Sequence, residues 1–129
     1  MGTLANKYEH FSAVLNTGVG CGAGTFLGLN SSTKLVLATI TSGTFVKARG
    51  MAITSGTAGD RITLWRQGRA NGFSALTVGG DLYSAGTGNY TQTAPATTGQ
   101  LIQVLGFAIS ANEIVLHIDD ATVIKQTSV

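Results

Sequence analysis

Charge is scarce in this chain of 129 residues: Asp, Glu, Lys and Arg together make up 11% of it, against roughly a quarter in ordinary globular domains. So thin a charged layer is a solubility liability for a free monomer, which argues that other subunits cover part of the surface. The net charge is only +2. Its carriers Lys34, Lys47, Arg49, Arg61, Arg66 and Arg69 are scattered among apolar and hydroxyl residues, so no basic stripe points to nucleic acid. The lone cysteine, Cys21, excludes an intrachain disulfide and a Cys-rich zinc site, and fits folding in a reducing cytoplasm. No window approaches the roughly 18 apolar residues of a membrane-spanning helix. The opening MGTLANKYEHFSAVL lacks the basic region and long apolar stretch of a signal peptide. MGTLAN departs from a myristoylation motif at Asn6, where Ser or Thr is required.

What is abundant is glycine, 18 residues of it, with threonine and short apolar runs. The runs fall over Phe26–Leu29, Lys34–Ile40, Thr44–Ile53, Arg61–Gln67, FSALTV, DLYSA, Leu101–Ile109 and Glu113–Ile118, with turn residues between them. About eight short strands at roughly ten-residue spacing, with no helical segment between them, predict an all-β fold, a small β-sandwich or β-barrel. Within Arg61–Gln67, Ile62 and Leu64 share one face and Arg61, Thr63 and Trp65 the other. The first 24 residues differ. Leu4, Tyr8, Phe11 and Leu15 recur at steps of three and four, and Gly18, Gly20, Gly22 and Gly24 follow at every second position. The apolar spacing fits one short amphipathic turn of helix and equally an extended arm that docks on a neighbour; residues 1–24 are taken as an extended N-terminal arm with a Gly-rich linker, and residues 25–129 as a single β domain.

The stretch YTQTAPATTGQLIQVLGFAI, residues 90–109, holds the chain's one proline, Pro95. Pro95 keeps that point out of a central ladder and marks Tyr90–Thr98 as an exposed connection. The run after Gly99 is apolar on both faces at period two: Ile102, Val104 and Ala108 on one, Leu101, Leu105, Phe107 and Ile109 with Gln103 on the other. A sandwich buries one face of a strand, so the other face is expected to meet a neighbouring subunit or a second packed layer. Gly106 is expected to mark a bulge or a close backbone approach.

Candidates for chemistry are few. His117 and Asp119 lie two apart and share a face on a strand, which suits a metal or a His–carboxylate pair, but no third donor is evident and a polar tip beside a turn explains them. Cys21 sits among glycines without the strand-to-helix elbow of a nucleophile. GVGCGAG resembles a dinucleotide loop in part, yet lacks the strand before it and the helix after it. Trp65, Tyr83 and Tyr90 are the side chains that would serve as a sugar-stacking platform. No catalytic residue, metal or cofactor is therefore expected, and the chain is read as a structural or binding module.

Residues 50–118 carry a recurrent pattern: Ala58-Gly59-Asp60 before a strand, then Leu76, Thr77, Gly79, Asp81, Leu82 and Tyr83. After these come Gly88, Thr91 and Pro95, then Gly99, Gln100, Gln103, Val104, Gly106 and Ala108, closed by Ile114 and Leu116. This half of the chain resembles a β module of tailed-phage virion proteins, found in capsid decoration (cement) proteins and in head or tail fibres. The short length is more similar to a cement protein than to a fibre. The resemblance implies a virion protein on the outer capsid surface, made in the host cytoplasm. It also implies a homotrimer whose partner is the major capsid protein, without direct nucleic-acid or membrane contact. The alternative it implies is a fibre or receptor-binding module that recognises a surface glycan. Subunit or capsid contacts are expected at Leu4, Tyr8, Phe11, Leu15, Trp65, Leu105 and Phe107.

Overall fold

A computed structural model describes residues 10–118 and 123–124. The described chain is all β, without a helix. It forms twelve strands: β1 (His10–Val14), β2 (Phe26–Leu29), β3 (Leu35–Leu37), β4 (Gly50–Ala52), β5 (Arg61–Trp65), β6 (Gln67–Asn71), β7 (Asp81–Ala85), β8 (Asn89–Thr91), β9 (Leu101–Ile102), β10 (Val104–Ala108), β11 (Glu113–His117) and β12 (Val123–Ile124). Two five-stranded antiparallel sheets run β1-β5-β4-β2-β3 and β6-β11-β10-β7-β8, with β9 and β12 forming a separate pair. The arrangement is that of a small sandwich. The chain passes from one sheet to the other at Arg66, the single residue between β5 and β6.

The first sheet is apolar on both sides. On one, Phe26 and Met51 meet Leu82, Leu105, Ala108, Ile114 and Leu116 of the second sheet in the inter-sheet core, with Trp65 packed at its margin. On the other, Leu15, Leu27, Leu35, Ala52, Ile62 and Leu64 form a second buried cluster, drawn almost wholly from the first sheet itself. A sheet can bury its own face only by curling. Leu15, just after β1, bridges in parallel to Leu35 on β3, and the Asn16 N–H donates to the Leu35 carbonyl at 3.0 Å. The two edges of the sheet thus meet. Antiparallel neighbours alternate in direction, so a ring of five strands must contain one parallel contact, and this is it.

The expected N-terminal arm is corrected here over its second part. Residues 1–9, with Leu4 and Tyr8, lie outside the described residues. His10–Val14 is an edge strand paired with β5 from His10↔Trp65 to Val14↔Arg61, and Leu15 is 1% exposed. Nor is the glycine run a free linker. Cys21 and Gly56 exchange two backbone hydrogen bonds at 3.0 Å, and the Gly24 N–H donates to the Ala52 carbonyl at 2.7 Å. Val19 and Cys21 pack on the cluster inside the curl. The Ala-Gly-Asp turn is tight: Gly59 adopts φ 89°, the Asp60 N–H donates to the Thr57 carbonyl at 3.0 Å, and the Asp60 carboxylate accepts from the Thr57 N–H at 2.9 Å. Positive φ at the third position of such a turn is a glycine conformation.

Two segments expected as strands are not. Of Thr44–Ile53 only Gly50–Ala52 pairs as a strand, and Phe73–Val78 is a loop in which Ala75 has φ 58°. Besides isolated backbone bonds, such as those from the Arg49 N–H to the Leu27 carbonyl and from the Leu76 N–H to the Ala111 carbonyl, each is held by a glutamine amide. Gln103, 1% exposed, accepts from the Ala48 N–H at 2.8 Å and donates to the Ala48 carbonyl at 2.8 Å. Gln92 treats Thr77 the same way, accepting from its N–H at 2.8 Å and donating to its carbonyl at 2.9 Å. A primary amide carries the same donor–acceptor pair as a peptide unit, so each side chain acts as a one-residue strand.

The two amides differ in burial, and that difference makes a prediction. Replacing Gln103 by Leu orphans a buried N–H and a buried C=O, each worth about 1–3 kcal/mol. Gln103→Leu is therefore expected to lower unfolding free energy by on the order of 2–4 kcal/mol in urea titrations. Gln92→Leu, at a half-buried site whose bonds to Thr77 reach solvent, is expected to cost less, about 1 kcal/mol, because water replaces the lost partners. Ser84 is the opposite case: its Oγ is buried with no hydrogen-bond partner among the described residues, so Ser84→Ala is expected to be neutral or mildly stabilising. Equal losses for the two glutamine variants would contradict this assignment.

Candidate interaction surface

The second sheet presents one face to the core and the other outward. Along β7 the inward residues are Leu82 and Ser84, which leaves Tyr83 outside; along β11 they are Ile114 and Leu116, which leaves Val115 outside. Strand β10 needs a break in period to do the same. Val104 is opposite Tyr83 but Gly106 is opposite Leu82, so Leu105 is the extra residue of a bulge. The bulge resets the alternation. Gln103, Leu105 and Ala108 all point inward, while Val104 and Phe107 point outward. Gly106 is required because its backbone lies against the Val115 carbonyl, where a Cβ would overlap that oxygen.

Leu105 and Phe107 therefore do not share a face, contrary to the period-two expectation. Leu105 is fully buried and belongs to the core, whereas Phe107 is 42% exposed. Phe107 stands opposite Val115 on one side and Asp81 on the other, with the Val104–Tyr83 pair further along the same face. The result is an apolar stripe of Val115, Phe107, Val104 and Tyr83 across three strands. Arg69 and Glu113 border it as a 3.1 Å ion pair; exposed as it is, such a pair contributes little to stability.

The other expected contacts are distributed over the fold. Leu15 is core, inside the curl. Phe11 is half-buried at the curl's margin. Trp65 is half-buried against the inter-sheet core, its ring 4.7 Å from that of His10. Tyr90 stacks edge-on with Phe73 at 5.2 Å and also packs on the core. Trp65 and Tyr90 thus lean inward while Tyr83 faces out, so the three aromatic rings do not line up as one sugar platform. Sequence reasoning passed over Val115, Tyr83 and Val104 as partners of Phe107, although the alternation in EIVLHI and DLYSA carried the signal. It also passed over Leu29, Ile53 and Val78, which are exposed. Ile53 lines a cleft of about 490 Å³ with Met51, Ala70 and Phe73 on the β6 side of the sandwich.

Chemical groups do not converge. His117 is exposed at the end of β11, opposite Gln67, and Asp119 lies outside the described residues. Among the described residues no three of His, Cys, Asp and Glu cluster as metal ligands. The Cys21 thiol is half-buried, and its pKa is raised, first by burial and also by the charge of Asp60, against an opposing backbone hydrogen bond from Gly56. The nucleophilic form is the thiolate, so this site suppresses it. Cys21 is expected to react with an aromatic disulfide at neutral pH more slowly than free cysteine, with the rate rising at a higher pH than for the free amino acid. Faster reaction than free cysteine would contradict the placement. The same shift works on stability: the group favours the fold while protonated, and that contribution is lost as pH rises through the folded-state pKa.

No protein-family model matches the chain, and no curated protein sequence matches it.

Proposed function

We propose that this chain is a structural virion protein that binds the outer surface of a phage capsid as a homotrimer and stabilises it by bridging neighbouring capsomers. The observation that carries the reading is the apolar stripe centred on Phe107. The outward face of a sandwich sheet is ordinarily polar, and here the exposed Phe107 lies beside the half-buried Val115, Val104 and Tyr83, with Asp81 across from it; exposed apolar surface rimmed by polar residues marks an interaction site. Here the bulge at Leu105–Gly106 turns an aromatic ring away from the core and into that patch. The scarcity of charged residues supports the same reading, because a surface shared with neighbours needs less of a charged layer than a free one.

The resemblance over residues 50–118 supports the choice of a capsid. The positions that carry it do structural work in this chain: Asp60 ties its turn, Gln103 closes the core and Gly106 permits the bulge. Residues with such roles build a scaffold that presents surfaces, which is what a stapling protein requires. Repeated copies with closed symmetry turn modest contacts into firm attachment through avidity.

The test is co-sedimentation with empty capsids. Phe107→Glu, at a partly exposed position, is expected to leave the thermal midpoint within a few degrees of the parent, as surface changes do. It is expected to abolish trimer formation and to reduce capsid occupancy by about tenfold or more, because a carboxylate would have to be desolvated in the interface. A variant that still saturates capsids as a trimer would overturn the assignment of the stripe.

A further inference from the structure

On the opposite side of the molecule the curl of the first sheet is incomplete. Among the described residues its edges are joined only where Leu15 and Asn16 meet Leu35. Upstream of that contact β1 pairs with β5 alone among the described residues. The hydrogen-bond directions follow from the chain itself. Leu15 turns its N–H to Asp60 and its carbonyl to the Gly59 N–H, on the β5 side, while the Asn16 N–H turns the other way, to Leu35. Directions alternate along a strand, so the backbone groups of Ser12 and Val14 point away from β5; the parallel bridge of Leu15 to Leu35 engages the Val14 carbonyl with the Leu35 N–H, which leaves, among the described residues, the Ser12 N–H and C=O and the Val14 N–H. They point into a slot of about 390 Å³ between β1 and the β2–β3 turn, where Phe11 and Leu29 supply apolar surface and Lys34 and Arg61 supply positive charge, with no acidic residue among the described residues of the lining.

An unpaired strand edge beside apolar pockets is the geometry of β-strand addition, and two cations without an acid select the charge of the incoming strand. We propose that this slot receives an extended, acid-bearing strand of a partner protein, hydrogen-bonded to the Ser12 N–H and C=O and to the Val14 N–H. The strand prolongs the parallel pairing that Leu35 begins. That the partner is the capsid protein rests on the reading above; the slot and the chemistry it selects do not.

Two probes test it by fluorescence anisotropy: a labelled eight-residue peptide alternating valine and glutamate, and the same peptide with lysine for glutamate. The glutamate peptide is expected to bind the full chain at least about tenfold more tightly than the lysine peptide. Ser12→Pro removes one outward N–H without touching the β5 ladder, as an edge strand tolerates, and is expected to weaken glutamate-peptide binding by about tenfold. Ser12→Ala, which removes only the side-chain hydroxyl, is expected to leave it unchanged. The double variant Lys34→Glu, Arg61→Glu is expected to reverse the preference between peptides, and it decides the matter if Ser12→Pro fails to fold. Equal binding of the two peptides, no binding of either, or an unchanged preference in the charge-reversed variant would overturn the proposal. So would a fall in the native mass of the free protein on Ser12→Pro, because the occupant would then be a second copy of this chain. In capsid co-sedimentation, loss of binding by the charge-reversed variant supports the slot. Undiminished binding by it overturns the slot as the capsid contact and leaves the virion reading standing. Failure of the parent chain itself to bind capsids removes that reading, while the peptides still judge the slot.

Discussion

The structure depends on one constraint: the first sheet must bury both of its faces. Five short strands cannot do this flat. They curl until β1 and β3 meet at Leu15 and Leu35, enclosing the side chains of Leu27, Ala52, Ile62 and Leu64, and the convex side is left to pack on the second sheet through Phe26 and Met51. Each large aliphatic side chain so buried contributes roughly 1.5–3 kcal/mol, so two separate clusters are needed in a chain with so few aromatic residues. The Gly-rich segment then closes over the curl because its backbone, free of bulky side chains, can bridge to Gly56.

Closing a fold of such short strands leaves backbone groups without ladder partners, and the chain meets that need with amides, not charges. Gln103 reaches across the core to Ala48, and Gln92 holds the loop at Thr77. A neutral amide satisfies an N–H and a C=O at once and carries no charge to desolvate. This economy is continuous with the low charge of the whole sequence: polar groups are spent on the backbone, and much of the surface is left to threonine, glycine and isolated apolar side chains.

The strands that alternate cleanly, RITLW, DLYSA and EIVLH, were legible because period two survives wherever a ladder is regular. The all-β class followed from them. The segments 44–49 and 73–78 do not form strands, although their composition suits an extended chain, because isolated backbone bonds and a glutamine side chain distant in sequence hold them in place of a continuous ladder. The roles of Leu105 and Phe107 were not separable by counting, because a bulge adds a residue without leaving a mark other than the glycine beside it. Leu15 looked like part of an arm because the curl that buries it is a contact between positions twenty residues apart on different strands, which no local pattern records. Of the two side chains named on β10 for a partner-facing surface, Phe107 is exposed and Leu105 is buried.

Two surfaces with different chemistry follow from these two sheets. The second sheet offers an apolar stripe suited to a copy of itself, and the incomplete curl of the first offers a cationic strand edge suited to something else. The proposed function draws on both: one surface to hold a second copy, the other to hold a partner. The most direct measurement is the native mass of the protein across a range of concentrations. The account predicts three chains in the particle, persisting on dilution to the micromolar range typical of specific interfaces. A single chain at every concentration would contradict it.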